Sequence, residues 1–399
     1  MSYRYVMPDQ TLLIGAETLS ALPSELKGRG VRKLCVISSP RASGSVAAAL
    51  VRQALAEFDV VREITDVRQH APIEDTERWA SELRKDPPDA MVAIGGGSPS
   101  DTAKAIAILL AEGGQMEEHC STFTPPDKLQ NVDLPAPKIP VVTIPTTLSG
   151  AEITPGGGAT NKDGVKRVFW DPKVASRVVV FDPMAMSDVP PMILLTTGMN
   201  GLAHCAEGLY SRTRSPLSSA LAREGASNFA EGLLAIALGD RDQLRTLVTL
   251  QVAAAIGGMV ISNARVGMHH AICHVLGAAY GLPHGVANSV MLPYVLEFNH
   301  SATEAEQAVF ADALRPALAA RGLPTAGSPA QVTRTLQTAI GVPSNLSEVG
   351  IRAADLERVA ADVMQDRGLF FNPKHVLHSD EPLSVLRNAW AGRLGEEGS

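Results

Sequence analysis

The sequence predicts an α/β N-terminal half built on a mainly parallel sheet, followed by an all-α C-terminal half. Three observations lead there. Short β-branched apolar runs alternate with helical stretches as far as Pro190, the pattern of strands covered by helices on both faces. Beyond that point long Ala/Leu-rich segments of helical period take over. Between the two regimes, Asp188-Val-Pro-Pro191 interrupts both helix and ladder.

The elements follow in order. Lys33–Ser39 (KLCVISS) reads as a buried strand, and a helix starts at Ser45 in SVAAALVRQALAEF. Val60, Val61 and Ile64 mark a second strand and Thr76–Lys85 a second helix. Asp89–Ile94 is a third strand, running into Gly95-Gly96-Gly97 and a long Ala/Ile/Leu helix. Ile139–Ile144 and Arg177–Phe181 supply further strands, with Thr124–Pro137 a surface loop between. In the second half Leu217–Leu238, Leu244–Ile261, Glu304–Ala320 and Ala354–Met364 read as helices, as does the segment holding Asn200 and His204.

The 399 residues suffice for two domains, and 45% hydrophobic with 19% charged residues is a globular balance. A net charge of −7 without a basic patch argues against nucleic acid as partner. No uninterrupted apolar run reaches the ~18 residues of a membrane span. The opening MSYRYVMPDQ has no signal-peptide pattern, so a cytoplasmic location is expected. Cys35, Cys120, Cys205 and Cys273 form no close pair, which excludes a disulfide scaffold or Cys-based zinc module.

Three segments carry chemistry. Gly95 to Lys104 (GGGSPSDTAK) joins a strand to a helix; glycines let a ligand approach the backbone. Ser98 is expected to cap that helix, Pro99 to take its first position, and Asp101 to bond free N–H groups of the first turn. A helix start of this kind suits a phosphate. Thr146, Thr147 and Ser149 in the loop to Glu152 offer short hydroxyls to a phosphate or ribose, or to their own backbone. Finally, Asn200/His204 and His270/His274 are two i,i+4 pairs, each on one helix face. With His284 in a Leu-Pro-His-Gly turn they can converge as a metal site or a proton-transfer cluster.

The ordered segments GGGSPSDTAKA, TIPTTLSGAE, FDP, GMNGLAHCAEGLY and HHAICHVLGAAYGLPHGVANSVMLP resemble the iron-containing alcohol dehydrogenase superfamily, a relative of dehydroquinate synthase. The resemblance implies that fold, with a dinucleotide-binding α/β domain over residues 1–187 and a helical catalytic domain over 188–399. TTLSGAE, GMN…AHCAEGLY, GMHHAICHVLG, Asn372-Pro373 and Ala389-Trp390 are similar to the maleylacetate reductase branch. GGGSPSDTAKA and PHGVANSVMLP lean toward the alcohol dehydrogenases, and Ala271 stands where maleylacetate reductases carry a lysine.

By resemblance the cofactor is NADH or NADPH, held by Ser39, Pro40, Gly95, Gly96, Gly97, Ser98, Asp101, Thr143, Thr146, Thr147, Ser149 and Lys166. Ser38-Ser39-Pro40-Arg41 replaces the acidic residue that selects NAD, so both cofactors are expected to serve. Catalysis falls to Asn200, His204, His270, His274 and His284. Metal-dependent members hold Fe or Zn with an Asp and three His, positions that map here to Asn200, His204, His270 and His284. The amide brings no charge to a cation, so a metal-free site is the expectation. The implied reaction is hydride transfer to a carbonyl or conjugated enone of a small oxo acid, as from maleylacetate to 3-oxoadipate, by a homodimer. Arg265 and Arg167 are candidate partners for its carboxylates. A metal-dependent alcohol dehydrogenase is the alternative. A lyase like dehydroquinate synthase fits less well, since Arg265 is the only basic side chain besides histidines between Arg265 and Gly285.

Overall fold

In the computed structural model, which describes residues 3–239 and 243–395, the apolar runs of the first half become strands of one parallel sheet. The chain runs β1 (Thr11–Ile14), α1 (Leu22–Gly28), β2 (Lys33–Ser38), α2 (Pro40–Ser43), α3 (Val46–Ala54) and β3 (Asp59–Ile64). It continues through α4 (Ile73–Leu83), β4 (Ala90–Gly95), α5 (Gly97–Glu112), β5 (Thr122–Thr124) and β6 (Lys128–Gln130). Then come β7 (Val141–Pro145), β8 (Gly156–Thr160), β9 (Lys166–Trp170) and β10 (Val178–Phe181). The sheet order is β1-β10-β7-β4-β2-β3, every neighbouring pair parallel.

The strands are hydrophobic on both faces because helices cover both. Leu34 and Val36 of β2, with Val92 and Ile94 of β4, pack against α1 and α3. Cys35 and Ile37, with Met91 and Ala93, face Trp79 of α4 and Ile106 of α5. The period of two thus sorts each strand into two cores. Register places the carboxyl ends of β2, β4 and β7 side by side: Ser38 pairs with Ile94, Ile94 with Ile144 and Gly95 with Pro145. Three connections therefore start from one edge of the sheet, where ligands of open α/β sheets bind.

Two features escaped the sequence reading. β1 is short and lies at the sheet edge, and β8 begins with three glycines that carry no strand propensity. Each of those glycines makes room for β9 or α5. A Cβ on Gly156 would meet Trp170, one on Gly157 would meet Phe169 and Asp101, and one on Gly158 would meet Lys166. The expected loop at Thr124–Pro137 holds β6 as well as coil.

The chain divides into two compact units, Met7–Ser121 with Gln130–Pro190, and Pro191–Ser399 with Met1–Val6 and Thr122–Leu129. Met1–Val6 goes with the helical unit because Val6 and Asn263 exchange two hydrogen bonds, the Val6 N–H donating at 2.7 Å and its carbonyl accepting at 3.1 Å.

The second unit holds α6 (Pro191–Tyr210), α7 (Pro216–Ala237), α8 (Gln243–Ala264), α9 (Met268–Tyr280) and α10 (His284–Asn299). α11 (Glu304–Ala319), α12 (Pro329–Ala339), α13 (Leu356–Val363) and α14 (Asp380–Ala391) complete it among the described residues. By length and composition α8 could cross a membrane, yet Leu247, Leu250, Ala253 and Ala254 are buried and the helix packs on α6 and α7. Glycines let these helices approach closely: a Cβ on Gly208 would strike Val260, and one on Gly232 would strike Leu250. α9, α10, α13 and α14 share a further core around Ile272, Met291, Val359 and Leu386.

Candidate active site

In the first unit the three strand-end connections form a cradle. α5 begins at Gly97, with Gly96 as its cap residue and no side chain bonding the first turn. Backbone donors at the positive end of a 16-residue helix are thus left for an anion. Gly95 sits at φ +133°, a conformation only glycine adopts without strain. Thr146 N–H donates to the Gly95 carbonyl at 2.9 Å, which ties the loop after β7 to the turn after β4. A Cβ on Gly96 would lie 2.9 Å from Thr147 Cγ2, and one on Gly97 would reach Ser149 Oγ at 4.0 Å. On the other side Ser39 caps α2, accepting from Ala42 N–H at 3.3 Å, and a Cβ on Gly95 would touch Ala42 at 3.4 Å. Ser39, Pro40, Gly95, Gly96, Gly97, Ser98, Thr146, Thr147 and Ser149 therefore belong to one edge. This cradle is the feature that fits a dinucleotide.

Several local expectations are corrected. Ser98 does not cap the helix, because the glycine run starts it one residue earlier; its Oγ accepts from His70 N–H at 3.1 Å. Pro99 accordingly stands third in the helix. Asp101 does not bond its own first turn but accepts from Gly158 N–H of β8 at 3.1 Å. Burial raises its pKa against the pull of Lys104 and Lys166. Thr143 is buried in β7, its hydroxyl 2.7 Å from Ser176 Oγ. Lys166 crosses over Gly158 on the β8–β9 pair.

We predict that Gly96→Val weakens NADH binding by at least ~10-fold, about 1.4 kcal/mol, because the new side chain displaces Thr147 and fills the cradle. Fluorescence titration measures this directly; unchanged affinity would remove the Gly95–Ser98 turn from the cofactor site.

In the second unit the histidines converge. His204 stacks on His270 with ring centroids 4.8 Å apart. His284 lies 5.7 Å from His270 and 5.8 Å from His274, onto which it stacks. α6 supplies Asn200 and His204, α9 supplies His270 and His274, and the first residue of α10 is His284. α10 can start so close to α6 because Gly285 has no side chain; a Cβ there would be 2.9 Å from the Thr196 carbonyl.

His270 is held at both ring nitrogens. Nε2 is 3.1 Å from Asn200 Oδ1, and Nδ1 is hydrogen-bonded to Glu207 Oε2. The other Glu207 oxygen accepts from Gly267 N–H at 2.8 Å, so one carboxylate caps α9 and orients its histidine. Asn372 accepts from the next N–H, Met268, at 3.2 Å. His269 is neutral, its pKa pushed down to about 4 by burial despite Glu207. Its Nε2 lies 3.3 Å from the Asn288 carbonyl and its Nδ1 3.3 Å from His270 Nδ1. That arrangement puts the His269 proton on Nε2 and the shared proton on His270 Nδ1, facing Glu207. Burial pushes the Glu207 carboxyl up to about 7, opposed by His269, the Gly267 N–H and His274. His274 has its own anchor: Nδ1 is 2.8 Å from Asp366 Oδ2, and Asp366 Oδ1 accepts from Gly368 N–H at 2.7 Å. Each of these histidines thus points Nε2 away from a fixed carboxylate, the geometry of an oriented proton donor.

Glu207 and Asp366 were not among the sequence-predicted residues. Glu207 carried a usable signal, since it lies three residues after His204 and seven after Asn200 on α6. Asp366 carried none, being 92 residues from His274. The arginines proposed for a carboxylate are placed differently: Arg167 is on β9, while Arg265 directly precedes the α9 loop, with φ +66° and a pKa lowered to about 9 by burial and by Arg367. Ala271 is fully buried.

Two donor groups bear on a divalent ion. Asn200, His204, His270 and His284 offer three imidazoles and one neutral amide. Glu207, His269 and His270 have donor atoms within 4.8 Å of one another and include a carboxylate. Three imidazoles suit zinc, and the carboxylate adds charge, so either set has the chemistry of a cation site.

Family models described as "Iron-containing alcohol dehydrogenase" and "Fe-containing alcohol dehydrogenase family, C-terminal" match residues 9–183 and 194–390. A maleylacetate reductase from Pseudomonas sp. strain P51 is 31% identical over 383 residues, 96% of each chain. The maleylacetate reductase structure from Rhizobium sp. strain MTP-10005 superposes with TM-score 0.78 at 26% identity, covering 98% of this chain and 99% of that one. A 1,3-propanediol oxidoreductase structure gives TM-score 0.84 at 25% identity, covering 98% and 100%.

Proposed function

Since the chain belongs to the iron-containing alcohol dehydrogenase family and is an oxidoreductase, we propose that it is a reductase of the maleylacetate type, active with NADH and NADPH. Its substrate in this reading is a small oxo acid with an alkene conjugated to the ketone, and it works as a cytoplasmic homodimer. The observation that carries the reading is the Glu207–His270–Asn200 chain. Asn200, at the position where the resemblance implies an Asp ligand in metal-dependent members, brings a neutral oxygen to His270 Nε2, while Glu207 orients the same ring from Nδ1.

Bound NAD(P)H supplies the hydride. The residues of the chain do the rest. The Gly95–Ser98 turn and the Thr146–Ser149 loop hold the phosphates and ribose, leaving the hydroxyls of Thr147 and Ser149 as donors. Hydride addition to the alkene carbon farthest from the ketone leaves an enolate. His270 Nε2–H stabilises the developing charge on the ketone oxygen, and His204 and His284 flank it. His274 delivers the proton that completes the reduction. The Asp366 and Glu207 carboxylates keep the two rings oriented throughout.

A second reading, a metal-dependent alcohol dehydrogenase, is favoured by the family description and by the Glu207, His269 and His270 group. A divalent ion there, or on Asn200 with the three other histidines, would polarise the substrate oxygen as a Lewis acid. One experiment separates the readings. Purified protein is assayed with maleylacetate and with simple aldehydes, before and after dialysis against a strong chelator. We expect enone reduction to survive chelation with far less than one equivalent of metal bound. Asn200→Asp should raise metal affinity by restoring the missing charge. Stoichiometric Fe or Zn in the wild type, with activity lost on chelation and regained on metal addition, would establish the second reading.

A further inference from the structure

Lys104 is the one lysine of α5, and its side chain is fully buried. A buried ammonium is costly unless every N–H finds an acceptor. Here each of its donors has one. Nζ donates to the carbonyls of Ala151 at 2.6 Å, Thr154 at 2.8 Å and Gly156 at 3.0 Å. No carboxylate takes part in these bonds. Asp101 and Glu152 act on it only through space, and burial pulls its pKa down to about 8 against their attraction. The cation is therefore committed to backbone.

Ala151 and Thr154 lie on the stretch that joins the Thr146–Ser149 loop to β8, and Gly156 is the first residue of β8. Thr154 Oγ1 lies within reach of two of the same acceptors, the Ala151 carbonyl at 2.9 Å and the Gly156 carbonyl at 3.0 Å. The same loop packs on the start of α5, where a Cβ on Gly97 would be 3.7 Å from Ala151 Cβ. One helix thus contributes the anion-facing turn at its start and, two turns on, the ammonium that fixes the facing loop.

We propose that Lys104 is the positioning residue of the cofactor cradle, holding the 146–156 loop against the Gly95–Ser98 turn so that its hydroxyls meet the ligand. The inference rests on reading that cradle as the nucleotide site. Lys104 itself touches no cofactor. Its loss acts on binding and spares the chemical step.

The test compares Lys104→Met and Thr154→Val with Gly96→Val in the full-length protein, using NADH as the probe. Lys104→Met should raise the NADH Kd and the cofactor KM by at least ~10-fold, with kcat at saturating NADH and the KM for the oxo acid within about 3-fold of wild type. Thr154→Val, which leaves the buried charge in place, should shift the cofactor constants the same way by a smaller factor. If Lys104→Met does not fold, Thr154→Val decides: a wild-type NADH Kd overturns the proposal. So does a folded Lys104→Met that binds NADH normally while Gly96→Val does not, an outcome that leaves the nucleotide reading standing. If neither substitution alters NADH binding, the nucleotide reading itself fails and the role of Lys104 with it.

Discussion

Replacing His270 by alanine should lower kcat by ~10²–10⁴-fold while NADH affinity stays near that of the wild type. The ring is 3% exposed, its Nδ1 is fixed by Glu207, and its Nε2 faces Asn200. The adjacent His269 cannot take its place, because it is neutral and its Nε2 is spent on the Asn288 carbonyl. Glu207→Gln is the sharper companion. The amide oxygen can still cap α9 through Gly267 N–H, so the fold is retained. Its NH₂, however, would face the His270 Nδ1–H, donor against donor, and break the hydrogen bond that orients the ring. A loss of roughly 10–100-fold in kcat is expected, the scale on which a group that orients an active residue acts. Stopped-flow measurement of NADH oxidation under single-turnover conditions would check both variants. A Glu207→Gln enzyme with wild-type turnover would dissolve the relay, whatever His270→Ala does.

How far the sequence carried the reading depended on the kind of signal each element left. β2, β4, β7 and β10 were legible because a strand buried on both faces is a continuous β-branched run. β8 was not, since Gly156, Gly157 and Gly158 are chosen for the space that Trp170, Phe169 and Lys166 need, and space leaves no propensity behind. The start of α5 was placed too late because Ser98 looked like a cap; tertiary contact with His70 uses that hydroxyl instead. The histidine spacing pointed to the cluster, and the rings do meet. What spacing could not show was the support behind them. Asp366 reaches His274 from the turn after α13, and only the packing of the Arg367–Phe371 segment against α9 brings the two together.

That support sets up the second large effect, on His274. His274→Ala should also cost ~10²–10⁴-fold in kcat if the ring delivers the final proton. Its side chain is 12% exposed against 3% for His270, so the two losses should differ in kind. A cavity that communicates with solvent admits a small replacement acid. Added imidazole is therefore expected to restore part of the His274→Ala turnover and none of the His270→Ala turnover. Asp366→Asn provides the internal check. An amide there has a single acceptor oxygen, so keeping the Gly368 N–H bond turns its NH₂ toward His274 Nδ1–H and loosens the anchor of the ring without removing the ring itself. Its kcat should fall, but less than that of His274→Ala. If His274→Ala turns over normally, or if Asp366→Asn leaves kcat unmoved, the proton reaches the product by another route, and His274 is only a neighbour of His284.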